Sequence, residues 1–436
     1  MKAARLPGET ADCGWYNVLP EPPPARRVDG RVSADWAIVG AGISGLAVAR
    51  QLATHRPDDK IVLIDATRVG LGASGRNSGF MLNYSAHGSG SGEDHESERR
   101  YAGLLQAGVD ELRRLVTEHQ IRCDWSEWGR LYVAVGADGE KHIAELARAH
   151  ERVGAEHRWL DQAERSRVTG SDFYSSALWA GGSTLVQPAA LVRGLAQTLP
   201  ANVTLYEESP VSSIERADGF RLVTDGGEVA AEKLILAAGV YANQLGAFRH
   251  RLLGIATYAS MTRPLTADEQ VLFQGTAEFG LLPASQNRST VRLTRDHRIV
   301  MRNSFSYAGG RRMPAAELSA ARANHAESIR QRWPSLAEIE LEHTWGGIIA
   351  YTRNQGALFG RIDDDVWAVT AGDAGPMTRG TITGKLLADY IVGADSDMLA
   401  TQLSLGKAGL LPPEPFLGLG VNFRLRSIRR QGRAEI

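Results

Sequence analysis

The sequence is poor in cysteine and in long apolar runs, and each shortage excludes a class of protein. Its 436 residues include two cysteines, Cys13 and Cys123, too few for a disulfide framework or a zinc site. No uncharged apolar run approaches the roughly 18 residues of a membrane span, and the first residues carry no apolar secretion signal. We therefore expect a cytoplasmic protein without a membrane span, since few cysteines suit a reducing compartment.

A surplus of charge of one sign is also missing. The 49 basic and 50 acidic residues leave a formal net charge of -1, so no global basic field is available to hold nucleic acid or an anionic membrane. Lysine is scarce: six of the basic residues are lysine and the other 43 are arginine. The presence of a single arginine in a segment is therefore weak evidence for a functional role. The histidines show no metal-ligand spacing, and we expect no metal site.

Apolar segments alternate with amphipathic ones, which predicts an α/β protein, α+β overall. An arm rich in proline precedes a buried strand at Trp36–Val39, a helix over 44–55 and a strand over 60–65, the order of a βαβ unit. Further helices are predicted over 98–119, 138–153, 315–333 and 378–392. Further strands are predicted over 129–135, 203–206, 220–223, 233–239 and 366–370.

A glycine-rich turn connects the first predicted strand to its helix. It reads Gly40, Ala41, Gly42, Ile43, Ser44, Gly45, a G-x-G-x-x-G motif in the structural context that a dinucleotide requires. Asp65 ends the second strand, where its carboxylate can accept from ribose hydroxyls. Gly70–Gly75 spells the same motif, but no strand directly precedes it, so we do not interpret it as a second nucleotide site.

The segment after the second strand favours FAD over a nicotinamide dinucleotide. Leu71–Phe80 is a run of small residues with one arginine and one asparagine, which can follow an extended FAD from pyrophosphate to flavin. It resembles the G-A-S-G-R-N-G-G segment of FAD-dependent amine and amino-acid oxidoreductases. These form the D-amino-acid oxidase/glycine oxidase superfamily, and γ-glutamylputrescine oxidase-like proteins are the most similar.

The resemblance extends from about residue 14 to residue 392. It is carried by the segments Thr184–Ala196, Pro210–Val211, Leu236–Ala242, Trp345–Arg361 and Trp367–Ala388, which stand in the family's order. It implies a discontinuous Rossmann-like FAD-binding domain (35–85, 185–250 and 345–400). A substrate domain on a mostly antiparallel sheet (86–184 and 251–344) interleaves with it, between an N-terminal arm (1–34) and a C-terminal extension (401–436).

The resemblance also implies site residues. Those expected to hold FAD are Gly40, Ala41, Gly42, Ile43, Ser44, Gly45, Asp65, Ala66, Gly72, Ala73, Ser74, Arg76, Asn77, Ser78, Gly79, Val211, Ala238, Gly239, Gly375, Met377 and Thr378. FAD is expected to be non-covalent, because no cysteine or histidine stands where relatives attach it. Candidates for the reacting end are Arg76, Asn77, Tyr258, Arg302, Arg353 and Arg379, with Arg292 and Met261 as further possibilities.

The departures from the family pattern lie near the reacting end. The chain reads Ala374–Met377 where a G-H-G-x turn is common, Thr262–Leu265 reads T-R-P-L in place of T-E-P-L, and Ala357 replaces a proline. The FAD half therefore matches the family while the substrate half diverges. The Gly/Ser-rich segment 88–94 is either a flexible surface loop or a lid.

The resemblance implies oxidation of the C–N bond of a small amine or amino acid. It also implies that hydride passes to flavin N5, that the imine product hydrolyses, and that oxygen or another acceptor reoxidises the flavin. One arginine among 292, 302 and 353 is expected to hold a substrate carboxylate. The alternatives are a FAD-dependent 2-hydroxy acid dehydrogenase and a degenerate member without oxidase activity. A pyridine-nucleotide reductase would need a second strand-linked glycine-rich site.

Overall fold

The computed structural model describes residues 12–84, 95–274, 276–284, 288–309, 313, 315–354, 356, 358–370 and 375–431. The segment 88–94, Ala357 and residues 371–374 therefore lie outside the described residues, and with them the expectation of a lid. In the described part, no helix is both long and apolar enough to cross a membrane.

The first large sheet carries the predicted βαβ unit. Its strands are β1 (Gly30–Val39), β2 (Ile61–Ile64), β8 (Val203–Tyr206), β9 (Ser213–Ala217), β10 (Gly219–Val223), β11 (Gly227–Leu236), β17 (Leu358–Asp363) and β18 (Val366–Thr370). The order β17-β18-β11-β1-β2-β8 is parallel from β18 to β8, and β9 and β10 form an antiparallel flap on β11. The Rossmann-like arrangement is confirmed.

The second large sheet is antiparallel except where β13 pairs with β4. Its order is β16-β12-β15-β14-β13-β4-β6-β5. Its strands are β4 (Arg130–Ala134), β5 (His157–Trp159), β6 (Ser176–Ala180), β12 (Leu253–Thr262), β13 (Phe279–Pro283), β14 (Thr290–Leu293), β15 (Ile299–Tyr307) and β16 (Leu341–Tyr351). A short pair, β3 (Phe80–Met81) and β7 (Thr184–Leu185), is separate from both sheets.

The helices include those that the sequence predicted. They are α1 (Gly14–Asn17), α2 (Ile43–His55), α3 (Ala73–Arg76), α4 (His95–Glu118), α5 (Gly136–Val153), α6 (Gln162–Thr169), α7 (Pro188–Gln197), α8 (Ala267–Gln270), α9 (Ala315–Arg332), α10 (Pro376–Ile391), α11 (Asp397–Ser404) and α12 (Phe416–Gln431). The predicted helices over 44–55, 98–119, 138–153, 315–333 and 378–392 are confirmed as α2, α4, α5, α9 and α10.

Glycines hold α10 against α2. A Cβ on Gly380 would lie 2.7 Å from Ile43 Cγ2, and one on Gly384 would lie 2.5 Å from the Ser44 carbonyl oxygen. Because the fifth residue of α10 meets the first turn of α2, the two helices begin on the same side of the sheet. That side is the carboxyl end of the parallel strands, where α/β folds bind ligands.

Two expected boundaries fall inside strands. β1 begins at Gly30, so the end of the arm proposed at residue 34 lies within it. Residues 30–34 pair with residues 227–231 of β11 and are partly exposed, which explains why they lack the apolar signature of a buried strand. The boundary proposed at residue 345 lies within β16, which pairs with β12 of the second sheet.

Candidate functional site

A large cavity lies between the carboxyl ends of the parallel strands and the face of the second sheet. At one end it is lined by Val39, Gly40, Gly42, Ile43, Ser44, Ile64, Asp65, Ala66, Thr67, Ser209 and Val211. Its middle is lined by Gly72, Ala73, Ser74, Arg76, Asn77, Ser78, Ala237, Ala238, Gly239, Val240, Tyr241, Gln244, Leu245 and Thr370. At the other end are Phe80, Leu82, Thr257, Tyr258, Ala259, Leu282, Thr290, Arg302, Trp345, Gly347, Ile348, Ile349 and Ala350. One continuous cavity therefore runs from the glycine motif to the second sheet.

The three glycines of the motif occupy three different environments. Gly40 has φ +106°, and a Cβ there would lie 2.6 Å from the Ala237 carbonyl oxygen. A Cβ on Gly45 would lie 1.8 Å from the Gly40 carbonyl oxygen, so this glycine allows the helix to pack on the turn. A Cβ on Gly42 meets only Ser74 Oγ, at 3.1 Å, and would otherwise occupy the cavity. Gly42 thus leaves the space that a pyrophosphate needs at a helix N-terminus.

Asp65 fixes the turn that faces it. Its Oδ2 accepts the Ala41 N–H at 2.8 Å, and its Oδ1 accepts the Thr67 N–H at 2.9 Å and the Thr67 hydroxyl at 3.1 Å. Burial raises the pKa of the Asp65 carboxyl, and the hydrogen bonds from Thr67 and Ala41 oppose that rise. Asp65 therefore holds the glycine turn and still lines the cavity at the end expected to take a ribose.

The loop after the second strand is held by its own side chains. Ser74 Oγ accepts the Ile43 N–H at 3.0 Å, which joins α3 to the N-terminus of α2. Asn77 donates to the Ser74 carbonyl oxygen at 2.7 Å and accepts the Gly79 N–H at 2.9 Å. Asn77 is therefore a turn-forming residue whose other surface lines the cavity.

Arg76 joins this loop to two other parts of the chain. Its guanidinium donates to the carbonyl oxygens of Leu71, of Asp12 at 2.9 Å and of Gly346 at 3.0 Å. Trp345 Nε1 in turn donates to the Arg76 carbonyl oxygen at 3.1 Å. Arg76 lines the cavity, but these contacts direct its charge to backbone of the arm, the loop and β16.

Arg292 anchors the end of the same loop from β14. It is fully buried, and its Nη1 donates to the carbonyl oxygens of Ser78 and Gly79, both at 3.1 Å, and of Val186 at 3.3 Å. Burial lowers the pKa of Arg292 to about 10, so it remains charged at neutral pH. It does not line the cavity. The sequence placed Arg292 among possible substrate ligands, whereas the structure shows a residue that positions the loop.

Arg302 differs from both, because no backbone carbonyl in the described part of the chain accepts a hydrogen bond from its guanidinium. It lies on β15, opposite Thr290 of β14 and Ala259 of β12, and lines the far end of the cavity. Among the described residues, no carboxylate forms an ion pair with it, and the Phe305 ring lies 5.2 Å from its Cζ. Burial lowers the pKa of the Arg302 guanidinium below its ordinary value.

Two hydroxyls at this end also have no partner in the described part of the chain. Thr290 Oγ1 and Thr257 Oγ1 are buried and make no hydrogen bond there, and both residues line the cavity. A buried hydroxyl without a partner costs about 1–3 kcal/mol. A guanidinium and two hydroxyls that line the same cavity and have no hydrogen-bond partner among the described residues suit an oxyanion from a bound molecule.

These residues fit a flavin dinucleotide, with a cradle at Gly42, a carboxylate at the ribose end and open space beyond Gly72 and Gly239. A family model described as "FAD dependent oxidoreductase" (DAO) matches residues 35–390. The chain belongs to this family. Its cofactor is FAD, and the protein is an FAD-dependent oxidoreductase.

Relatives of this flavoprotein match along most of their length. The chain is 26% identical over 368 residues to the gamma-glutamylputrescine oxidoreductase of Escherichia coli, covering 83% of this chain and 84% of the relative. It is 24% identical over 389 residues to a probable oxidoreductase, OrdL, of Haemophilus influenzae, covering 86% of this chain and 85% of the relative. The crystal structure of glycine oxidase from Geobacillus kaustophilus has the same fold, with a TM-score of 0.71, 20% identity and coverage of 84% of this chain and 96% of that one.

Several predicted site residues are not brought to the cavity of this flavoprotein. Arg353 is exposed and lies near Gly409, beyond the end of β16. Arg379 is buried with its Cζ 5.6 Å from the Tyr101 ring, between α10 and α4. Met377 belongs to the core beneath α10. The residues expected to hold FAD that do not line the cavity are Ala41, Gly45, Gly79, Gly375, Met377 and Thr378.

Three of those six serve the site indirectly. Ala41 donates its N–H to Asp65, Gly45 permits helix packing, and Gly79 lies where a Cβ would be 2.2 Å from the Val186 carbonyl oxygen. Gly375 precedes α10 and borders the undescribed residues 371–374. The expected contact of Gly375, Met377 and Thr378 with FAD therefore stays a prediction.

Tyr258 and Met261 of β12 have separate positions. Tyr258 lines the cavity, but its hydroxyl shares a hydrogen bond with Ser306 Oγ at 2.8 Å and donates to Glu317 Oε2 at 3.3 Å. Met261 packs with Trp15 and Trp345 in a small core behind the strand. Tyr258 therefore forms part of the cavity wall, while its hydroxyl is engaged in hydrogen bonds to Ser306 and Glu317.

Sequence reasoning missed Thr67, Ser209, Thr257, Thr290 and Gln244, which all line the cavity. Thr67 had a signal, because a threonine two residues after an aspartate can close a turn on that carboxylate. Thr257 and Thr290 had none, because the pairing of β12, β14 and β15 decides which strand face meets the cavity.

We expect Arg292→Met to weaken FAD binding and the fold together. The change removes a buried guanidinium that donates to the carbonyl oxygens of Ser78, Gly79 and Val186, of which Gly79 keeps the Val186 N–H as a donor, at a cost of about 2–4 kcal/mol in unfolding free energy. Denaturant unfolding and flavin content measure the two effects. Arg361→Met removes an exposed arginine paired with the exposed Asp364 and is the matched control, expected to cost about 1 kcal/mol or less. Equal losses in the two variants would contradict the anchoring role.

We expect FAD to be held without a covalent bond. Among the described residues that line the cavity there is no cysteine and no histidine. Cys13 and Cys123 are free and buried outside it. Acid precipitation should therefore leave the flavin in the supernatant, measured by its absorbance. A yellow pellet that survives washing would contradict this prediction.

Proposed function

We propose that this flavoprotein oxidises the C–N bond of a small amine or amino acid that carries a carboxylate. The observation that carries the proposal is Arg302, a half-buried arginine at the cavity end opposite the ribose site, whose guanidinium forms no ion pair with a carboxylate of the described chain. A carboxylate held there would pair with the guanidinium through two parallel hydrogen bonds. The hydroxyls of Thr290 and Thr257 line the same cavity and are further hydrogen-bond donors for an oxyanion. The names of the relatives, which include glycine oxidase and gamma-glutamylputrescine oxidoreductase, agree with an amine substrate.

The redox chemistry would come from FAD, which in its bound form could take up a hydride from the carbon next to the substrate nitrogen. The chain's own residues bind and orient. Arg302 would fix one end of the substrate, while Trp345 and Ile348 of β16 and Phe80 of β3 form apolar walls that exclude water. Arg76, Asn77 and Arg292 keep the loop 71–79 in place along the cofactor.

The lining favours an amine over a 2-hydroxy acid. Asp65 is the only acidic residue among the described residues that line the cavity, and it lies at the ribose end. No lysine and no histidine is among these lining residues. Oxidation of a hydroxyl needs a base for the hydroxyl proton, whereas an amine can arrive neutral after losing its proton to water. Arg302 would serve both substrates, so the hydroxy acid remains the second candidate.

The test is an anaerobic screen of the purified holoenzyme. Amines, amino acids, 2-hydroxy acids and reduced nicotinamide dinucleotides are added separately, and bleaching of the flavin absorbance is recorded. Bleaching by a carboxylate-bearing amine supports the proposal. Bleaching by hydroxy acids alone, or by reduced nicotinamide dinucleotides alone, contradicts it. Readmission of air then distinguishes reoxidation by oxygen from the need for another acceptor.

The expectation of a cytoplasmic protein is retained as part of the proposal. Cys13 and Cys123 are both free thiols, as a reducing compartment permits. Burial raises the pKa of the Cys123 thiol to about 12, which keeps it protonated and unreactive at neutral pH.

A further inference from the structure

The helix α12 (Phe416–Gln431) exposes large apolar side chains on one face. Phe416 is 68% exposed, Leu419 67% and Phe423 77%. Their spacing of three and four residues places them on a single stripe of the helix. A contiguous exposed stripe of two phenylalanines and a leucine marks an interaction surface, whereas isolated exposed apolar residues do not. We call these three residues the apolar stripe.

The opposite face of α12 is attached to the body of the protein. Glu414 accepts a hydrogen bond from the Tyr307 hydroxyl at the end of β15 and, at 3.1 Å, from the Gly418 N–H. Gly418 approaches the Tyr307 ring closely, since a Cβ there would lie 3.2 Å from Cε1. Leu417 and Leu425 are half-buried. The helix is therefore docked on β15 with the apolar stripe directed outwards.

The charge of this segment is opposite to that of an anionic surface. Arginines stand at positions 424, 426, 429, 430 and 433, and no acidic residue occurs from 415 to 434. Arg424 and Arg426 are exposed, and neither pairs with an acid in the described chain. A net charge of -1 for the whole chain thus conceals a strongly basic end.

We propose that α12 docks the protein onto an anionic phospholipid surface. Apolar and aromatic side chains beside arginines on one helix are the pattern of helices that lie in the membrane interface, where apolar burial and attraction to anionic headgroups add. A second copy is a poorer occupant, because a two-fold contact between two α12 helices would bring like charges together. The helix lies in the plane of the surface and does not span the bilayer.

The test is cosedimentation of the full-length holoenzyme with lipid vesicles at low and high salt. Vesicles of phosphatidylglycerol and phosphatidylcholine are compared with vesicles of phosphatidylcholine alone. We expect binding to the anionic vesicles that weakens as salt rises, and little binding to the neutral ones. The double variant L419Q/F423Q should bind the anionic vesicles roughly 10- to 100-fold more weakly, because it loses apolar burial in the interface.

Two further variants make the result specific. L403Q removes an apolar side chain that is 54% exposed on α11 and should bind as the wild type does. R424Q/R426Q should weaken binding mainly at low salt. Flavin content and the unfolding midpoint should be unchanged in all three variants, since the substituted side chains are exposed.

Three outcomes would overturn the proposal. The first is no binding to anionic vesicles by the wild type. The second is a loss of specificity, seen as equal binding to neutral and anionic vesicles or as equal loss of binding in L403Q and L419Q/F423Q. The third is a dimeric wild type that becomes monomeric in L419Q/F423Q, measured by light scattering, which would assign the stripe to a second copy.

Discussion

Gly42→Val is expected to yield a folded protein that purifies without FAD. Gly42 has φ -71° and ψ -179°, which valine adopts without strain, so the backbone is not the reason. The reason is space, because the Cβ would lie 3.1 Å from Ser74 Oγ and the two methyl groups would occupy the cavity at the N-terminus of α2. We expect FAD affinity to fall at least roughly 100-fold, since backbone must approach the pyrophosphate at this position.

The measurement is flavin content after purification, followed by titration of the apoprotein with FAD. Gly103→Val adds the same side chain to a helix surface where a Cβ meets nothing within 4 Å, and should retain full flavin. Gly45→Ala is a second comparison. Its Cβ would lie 1.8 Å from the Gly40 carbonyl oxygen, so this variant should have a lower unfolding midpoint even as the apoprotein. Normal flavin content in Gly42→Val would show that the cofactor lies elsewhere.

Arg302→Ala is expected to raise the KM for a carboxylate-bearing amine by roughly 10- to 100-fold, as loss of a charge-assisted hydrogen bond of about 1.5–3 kcal/mol implies. The KM for an amine without the carboxylate should barely change, and FAD should stay bound. The fold should not suffer, because this half-buried arginine forms no ion pair with a carboxylate of the described chain that the substitution would remove.

Matched variants separate substrate contact from general damage. Arg353→Ala removes an exposed arginine outside the cavity and should leave both KM values unchanged. Arg302→Lys keeps the charge but loses the planar pair of donors. Its KM for the carboxylate-bearing amine should therefore lie between those of Arg302→Ala and the wild type. Equal loss on both substrates in Arg302→Ala would mean that the arginine supports the flavin or the fold instead.

The nucleotide half was predictable because its chemistry is local in sequence. The turn from Gly40 to Gly45 and the carboxylate of Asp65 belong to one βαβ unit, whose strands and helix are visible as apolar patterns. The loop around Ser74 and Asn77 was found through its resemblance to a family segment. The structure explains that segment, since its side chains close the loop on itself and on α2.

The substrate half was only partly predictable because it depends on long-range pairing. Arg292 and Arg302 lie on adjacent strands and look alike in sequence, yet one is bound to three backbone carbonyls and the other lines the cavity. Arg353 follows β16 and leaves the sheet before it could reach the cavity. The exposure of one face of α12 could not be predicted, because that face is apolar. A pattern of apolar residues alone predicts that such a face is buried.

Titration of the oxidised holoenzyme with benzoate, a carboxylate that cannot be oxidised, tests the central claim most directly. The claim is that one cavity holds the flavin and, beside it, an anion bound by Arg302. A saturable change in the flavin absorption spectrum is predicted for the wild type and for Arg353→Ala, with the apparent Kd at least roughly 10-fold higher in Arg302→Ala. An unchanged Kd in Arg302→Ala, or no spectral change in the wild type, would contradict the claim.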